Sequence, residues 1–251
     1  MKLEELLDEL RVNILRDDAV LAAGPSDQLW TDDALVRYIN DAQSMWARKT
    51  LALRDASTAD VVEVPLSAGV AAYELHKSIL SVVSARFDDN EVDLPRFGRS
   101  NVDLLLGIDP PFFDAAQIAA ISPGPPLGYS TDERLNIDDE SAVVLTVMPA
   151  PSADEDGLTL FLRVARLPLE DFDIEDTEAE CELPSIYQLD MLEWAAYRAL
   201  MNSDIDGHSD AAKEHKKRFE DSTKEVLKDI RRKMRQPQRF AFGTGGFTWE
   251  R

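Results

Sequence analysis

The spacing of apolar residues changes period twice along this chain, and that change limits the fold more than any other feature. Over residues 1–58 the period is helical. Leu3, Leu6, Leu7, Leu10 and Ile14 recur at three- and four-residue steps and so share one helix face. This helix is expected to end near Asp17 and Asp18, ahead of the Gly24-Pro25-Ser26 break. A second helix should start after Thr31, a good N-cap, with Asp32 and Asp33 complementing the helix dipole. Its apolar set is Leu35, Tyr38, Ile39, Ala42, Met45 and Trp46.

From about residue 59 to 178 the pattern becomes that of strands. Val61, Val62 and Val64 open it, followed by Tyr73–His76, Ile79–Phe87, Tyr129–Ile137, Ala142–Met148 and Leu158–Arg166. A short helix is expected at Val102–Leu106. The last two strands are expected to be joined by a long polar hairpin loop, Pro149–Gly157. In the final strand Leu158, Leu160, Leu162 and Val164 make an apolar face opposite a mixed one. An acidic linker, residues 170–182, follows.

The helical period then returns. Pro184 suits a first helical turn, and Ile186, Leu189, Leu192, Trp194, Tyr197 and Leu200 make a broad apolar helix. A second, highly charged helix is expected from about Ser209 to Arg235. The tail, QPQRFAFGTGGFTWER, combines three glycines with Phe240, Phe242, Phe247 and Trp249, a pattern that fits partner binding. The expected class is α+β. Residues 1–58 and 183–235 form an antiparallel helical bundle, 59–178 an inserted small antiparallel β-domain, and 236–251 an extended C-terminal arm.

Charge separates the two ends of this plan. The chain of 251 residues carries a net charge of −21, which opposes nonspecific attraction to nucleic-acid phosphates. Yet residues 213–239 hold 11 basic and 5 acidic residues, net +6, whereas the others hold 16 and 43, net −27. Such asymmetry suits docking between subunits or onto a partner, and it also suits a helix that simply faces water. No apolar run is long enough to span a membrane, and the acidic N-terminus has no signal-peptide pattern. A single cysteine, Cys181, leaves no internal disulfide framework.

Catalytic patterns are missing. There is no Walker A sequence and no G-x-S-x-G elbow, and Gly243, Gly245 and Gly246 have no helix behind them. Cys181, His208 and His215 lack the paired spacing of a structural zinc site, and His76 lies within a strand pattern. The acidic runs 88–89, 138–140 and 154–156 fall in expected loops without the calcium-loop pattern. No metal, cofactor or catalytic residue is expected.

Three stretches together carry a likeness. LWTDDALVRYINDAQSMWARKT, AVVLTVMPAPSADEDGLTLFLRVARLP and ELPSIYQLDMLEWAAYRAL, in this order, resemble the head-to-tail adaptors of podovirus-type tailed bacteriophages, the tail-tubular or gatekeeper-like neck proteins. The resemblance implies a structural, non-enzymatic virion protein made in the host cytoplasm. It implies a usually dodecameric ring under the portal that extends the DNA channel and carries the tail nozzle or tail-tube proteins. Double-stranded DNA would pass through without specific binding, and no membrane would be involved. On this likeness Phe240, Phe242, Phe247 and Trp249 would anchor to the portal ring, with Arg231, Arg232, Lys233, Arg235 and Arg239 meeting its acidic surface. The residues 170–182 and 88–99 match no part of the pattern. Two other readings stay open: a different virion assembly or tail-completion protein, favoured by a hexameric ring, and a hydrolase using a carboxylate pair, favoured by a deep pocket of converging acids.

Overall fold

The structure, a computed structural model, describes residues 1–17, 28–87, 92–96, 122–134, 142–203 and 208–235. Helix α1, Leu3–Asp8, buries Leu3 and Leu6 and runs on as π-helical turns over Glu9–Leu15, with Leu10 also fully buried. It ends at Arg16, which adopts a left-handed conformation (φ 56°). Asp17 then anchors the entry to the next helix. Its carboxylate accepts the backbone N–H groups of Leu29 and Trp30 and pairs with buried Arg11 at 3.2 Å. Arg11 also donates to the Trp30 carbonyl and to Asp32.

Helix α2, Asp32–Thr50, has Thr31 as its N-cap, the hydroxyl accepting the Ala34 N–H. Such a cap contributes about 1 kcal/mol. The expected apolar face is buried along its centre, at Leu35, Ile39, Ala42 and Trp46, with Tyr38 and Met45 at its margin. The short strand β1, Arg54–Asp55, comes next. Val61 and Val62, expected in a strand, instead form the short helix α3, Ala59–Val62. The cause is Asp55, which captures the backbone N–H groups of Ser57 and Thr58 and turns the chain so that Val61 and Val62 N–H both reach the Thr58 carbonyl. Both valines remain buried.

The remaining strands are β2 (Glu63–Pro65), β3 (Ala72–Glu74), β4 (Ile79–Phe87), β5 (Gly128–Arg134), β6 (Ala142–Met148) and β7 (Thr159–Arg166). They make two antiparallel sheets. In the first, β7 is central: β2 and β1 pair with successive halves of one edge and β4 runs along the other. In the second, β6 lies between β3 and β5. Leu160, Leu162 and Val164 of β7 meet Leu145 and Val147 of β6 in one apolar core, so the inward face expected of the last strand is present.

The hairpin expected between β6 and β7 is corrected by this topology. Each of the two is the centre of a different sheet, so Pro149–Gly157 crosses between sheets. Both strands have already used their edges on other partners, and Pro149 and Pro151 have no N–H to extend a ladder. The loop is shaped by its acids: Glu155 accepts the Ser152 N–H and hydroxyl, and Asp156 accepts the Ala68 N–H. Gly157 takes φ 80°, which a side chain would resist. The expected helix at Val102–Leu106 and the strand residues 135–137 lie outside the described residues.

Helices α4, Ser185–Met201, and α5, His208–Arg235, complete the bundle. They run antiparallel: Asp190 lies near Glu225, Trp194 packs on Phe219 and Tyr197 meets Lys216. The buried face of α4 differs from the expected one. Met191, Leu192, Ala195, Ala196 and Ala199 face the core, while Ile186 and Leu189 are 73% and 53% exposed. The small alanines let α2 and α5 approach closely, which turns the larger N-terminal residues outward.

The acidic stretch 170–182 is pinned rather than free. Leu3 and Glu4 donate their N–H groups to the carbonyls of Ala179 and Thr177, and Cys181 donates to that of Met1. Asn40 of α2 exchanges two hydrogen bonds with the Phe172 backbone, both 2.9 Å.

Candidate partner-binding surface

Phe219 seats α5. Its ring is fully buried and lies 5.6 Å from that of Trp46 and 5.1 Å from that of Trp194. Ala212, Thr223 and Val226 are buried on the same side, so the charged residues of α5 project outward. Lys213, Lys217, Arg218, Lys224, Lys228, Arg231 and Arg232 are all exposed. Several pair within the helix at three- or four-residue steps, as Lys213 does with Asp210, Arg218 with Glu214, Lys224 with Asp221 and Arg232 with Asp229. Exposed pairs of this kind contribute little to stability and leave the surface charge available.

Between α4 and α5 the charges are more enclosed. Glu193 accepts from His215 Nδ1 at 2.6 Å. Asp190 nearby is held above the ordinary carboxylate range, first by burial and then by the charges of Glu193 and Glu225. The antiparallel packing places the first turns of α4, where Ile186 and Leu189 are exposed, toward the same end of the helix pair as the C-terminal half of α5.

Of the nine residues singled out from the sequence, Arg231 and Arg232 are exposed near the end of α5. Lys233 and Arg235 lie in its last turn. Arg239, Phe240, Phe242, Phe247 and Trp249 lie outside the described residues. Ile186 and Leu189, expected in the apolar face of α4, are exposed as well.

A second charged surface lies along residues 169–182. Glu170, Asp171, Asp173, Glu175, Asp176, Glu178 and Glu180 are exposed, as are the apolar Leu169 and Ile174. A groove of about 470 Å³ runs here, bounded by Gln43 and Phe172 and by several of these acids. Among the described residues its lining includes no histidine, cysteine, serine or threonine. Glu182 at its margin is already engaged, accepting from Arg166 at 2.6 Å and from the Leu169 N–H.

Arg166 joins the two apolar cores. Its guanidinium is buried, lies 2.7 Å from Asp55, and also reaches Glu182 and the Leu167 carbonyl. Burial alone would raise the Asp55 carboxyl. The N–H groups of Ser57 and Thr58, the Thr58 hydroxyl and Arg166 outweigh it and hold the group well below the ordinary range.

The soft ligand candidates are scattered. The Cys181 thiol faces Gln43, His208 stacks on Trp30 and meets the Ser203 hydroxyl, and His215 meets Glu193. Burial pushes the Cys181 thiol up. His76 hydrogen-bonds to Ser78. Among the described residues no group of three or more His, Cys, Asp or Glu is placed to hold a metal ion. Also among the described residues, no helix is long and apolar enough to cross a membrane.

The family model described as SU10 adaptor protein matches residues 1–241. The chain belongs to this family. It is accordingly a bacteriophage adaptor protein of the head-to-tail type, a structural part of the virion. No match to a curated protein was found. The adaptor family match spans both helical regions, the strands between them, and the tail as far as Ala241. Arg239 and Phe240 fall inside it, while Phe242, Phe247 and Trp249 fall beyond.

Proposed function

We propose that this adaptor is one subunit of a ring, usually dodecameric, that sits under the portal, extends the DNA channel and carries the tail nozzle or tail-tube proteins. It performs no catalysis and needs no cofactor. It is made in the host cytoplasm and acts in the neck of the virion. The observation that carries this reading is the end of α5. There Arg231 and Arg232 are exposed, and the sequence that follows holds four aromatic residues, in a chain whose family is that of phage adaptors.

In this reading residues 1–58 and 183–235 are the helical body, 59–178 the inserted β-domain and 236–251 the arm. The two separate apolar cores support that division. Phe240, Phe242, Phe247 and Trp249 anchor the arm to the portal, and Arg231, Arg232, Lys233, Arg235 and Arg239 meet acidic portal surface. Aromatic and arginine side chains are the groups that most often dominate such contacts. The net charge of −21 has a role here as well, because an acidic channel wall repels the DNA phosphates and lets the duplex slide.

A chain ending at Gln236 tests the arm. It should bind isolated portal rings of the same virus at least ~100-fold more weakly than the full chain, since several aromatic anchors are lost at once. Equal binding of the two chains would remove the arm from the contact.

A further inference from the structure

We infer that the outward stripe of α5 formed by Lys213, Lys217, Lys224 and Lys228 docks onto the acidic 169–182 surface of a second copy of this chain. The inference rests on the ring proposed above and names the two faces that close it.

The stripe follows from helix geometry. With about 100° per residue, these four lysines fall within one arc of about 60°, on the side of α5 turned away from Ala212, Phe219 and Val226. The arc runs for about 23 Å along the helix. Lys213 and Lys224 make only exposed pairs with Asp210 and Asp221. Lys217 and Lys228 have no ion-pair partner among the described residues.

The acidic face supplies the complement. Glu170, Asp171, Asp173 and Asp176 are exposed around the groove, and Leu169 and Ile174 add apolar surface beside them. Position decides which copy's stripe can reach it. Asn40 and Gln43 of α2 point to Phe172 and Cys181 on one flank. Tyr38 and Asp41 point to Asn202 and Trp194 on the other, where α4 carries α5. The acidic face and the helix pair that carries the basic stripe thus pack on opposite flanks of α2, and among the described residues no ion pair joins the two faces within one subunit. Two different, complementary faces on opposite sides are what a head-to-tail ring contact requires. A DNA duplex is the competing occupant of a lysine stripe, but the chain's net charge of −21 opposes it.

The test is sedimentation velocity of the full chain at about 25 mM and about 500 mM salt, where screening lengths differ several-fold. The parent should self-associate at low salt and dissociate at high salt. Reversing the stripe (K217E/K224E/K228E) or the acidic face (E170K/D173K/D176K) should each weaken association by at least ~30-fold, because like charges then oppose each other. A one-to-one mixture of the two variants should restore it to within ~tenfold of the parent, since each reversed face then meets its complement. The triple reversal R37E/R48E/K49E changes net charge as the stripe variant does, and should associate like the parent. A parent that stays monomeric, either variant associating normally, a mixture that fails to recover, or retention of a DNA duplex by the stripe in place of a second copy would overturn the contact. Portal binding is scored separately. Normal loading of portal rings by a parent that does not self-associate would overturn this contact and leave the adaptor reading standing.

Discussion

Replacing Arg166 with methionine is expected to destabilise the protein by about 3–5 kcal/mol, measured by urea denaturation at neutral pH. The guanidinium lies in a buried junction with Asp55 at 2.7 Å and Glu182 at 2.6 Å, and removing it strands two carboxylates. The cost comes from the stranded charges more than from the lost pair. A pH signature accompanies it. The folded pKa of Asp55 is depressed, so its contribution is complete above the unfolded carboxylate range, roughly pH 4, and is lost as pH falls through the folded value. In Arg166→Met the Ser57 and Thr58 bonds to Asp55 remain, so the acid-side loss of stability becomes shallower without vanishing. An unchanged urea midpoint would contradict the proposed junction.

Phe219→Ala is the second large effect, expected at about 3–5 kcal/mol. The ring is fully buried between Trp46 and Trp194, and alanine leaves a cavity under the middle of α5. Amide exchange in α5 should quicken most, because the packing of that helix on α4 and α2 is centred there. By contrast Ile186→Ala should change stability by less than ~0.5 kcal/mol, as the side chain is 73% exposed. Equal costs at the two positions would mean that α4 is rotated from the orientation described.

The apolar spacing carried the fold class because period reports which face is buried, and the burial of Leu35, Ile39 and Trp46 or of Leu160, Leu162 and Val164 is set by that face alone. Strand ends at Ile79 and Phe87, and at Ala142 and Met148, were legible for the same reason. Strand partners were not. Nothing in the run from Ala142 to Arg166 says that β6 and β7 belong to different sheets, since their partners come from residues 54–87 and 128–134. Local chemistry also overrode propensity at Val61 and Val62, where the Asp55 carboxylate sets the turn. At the surface, the basic character of α5 was readable as a charge count. The exposure of Ile186 and Leu189 was not, because two alanine turns further on decide which side of α4 faces in. The Arg166 junction was hidden too: Asp55 and Arg166 are 111 residues apart and meet only through the pairing of β1 with β7.

The measurement that bears most directly on the adaptor role is native mass spectrometry of the full chain mixed with portal rings of the same virus. The account predicts saturation at one chain per portal subunit, with partly loaded rings rare once neighbours cooperate. A chain that remains free, with portal rings at their bare mass across the titration, would contradict it.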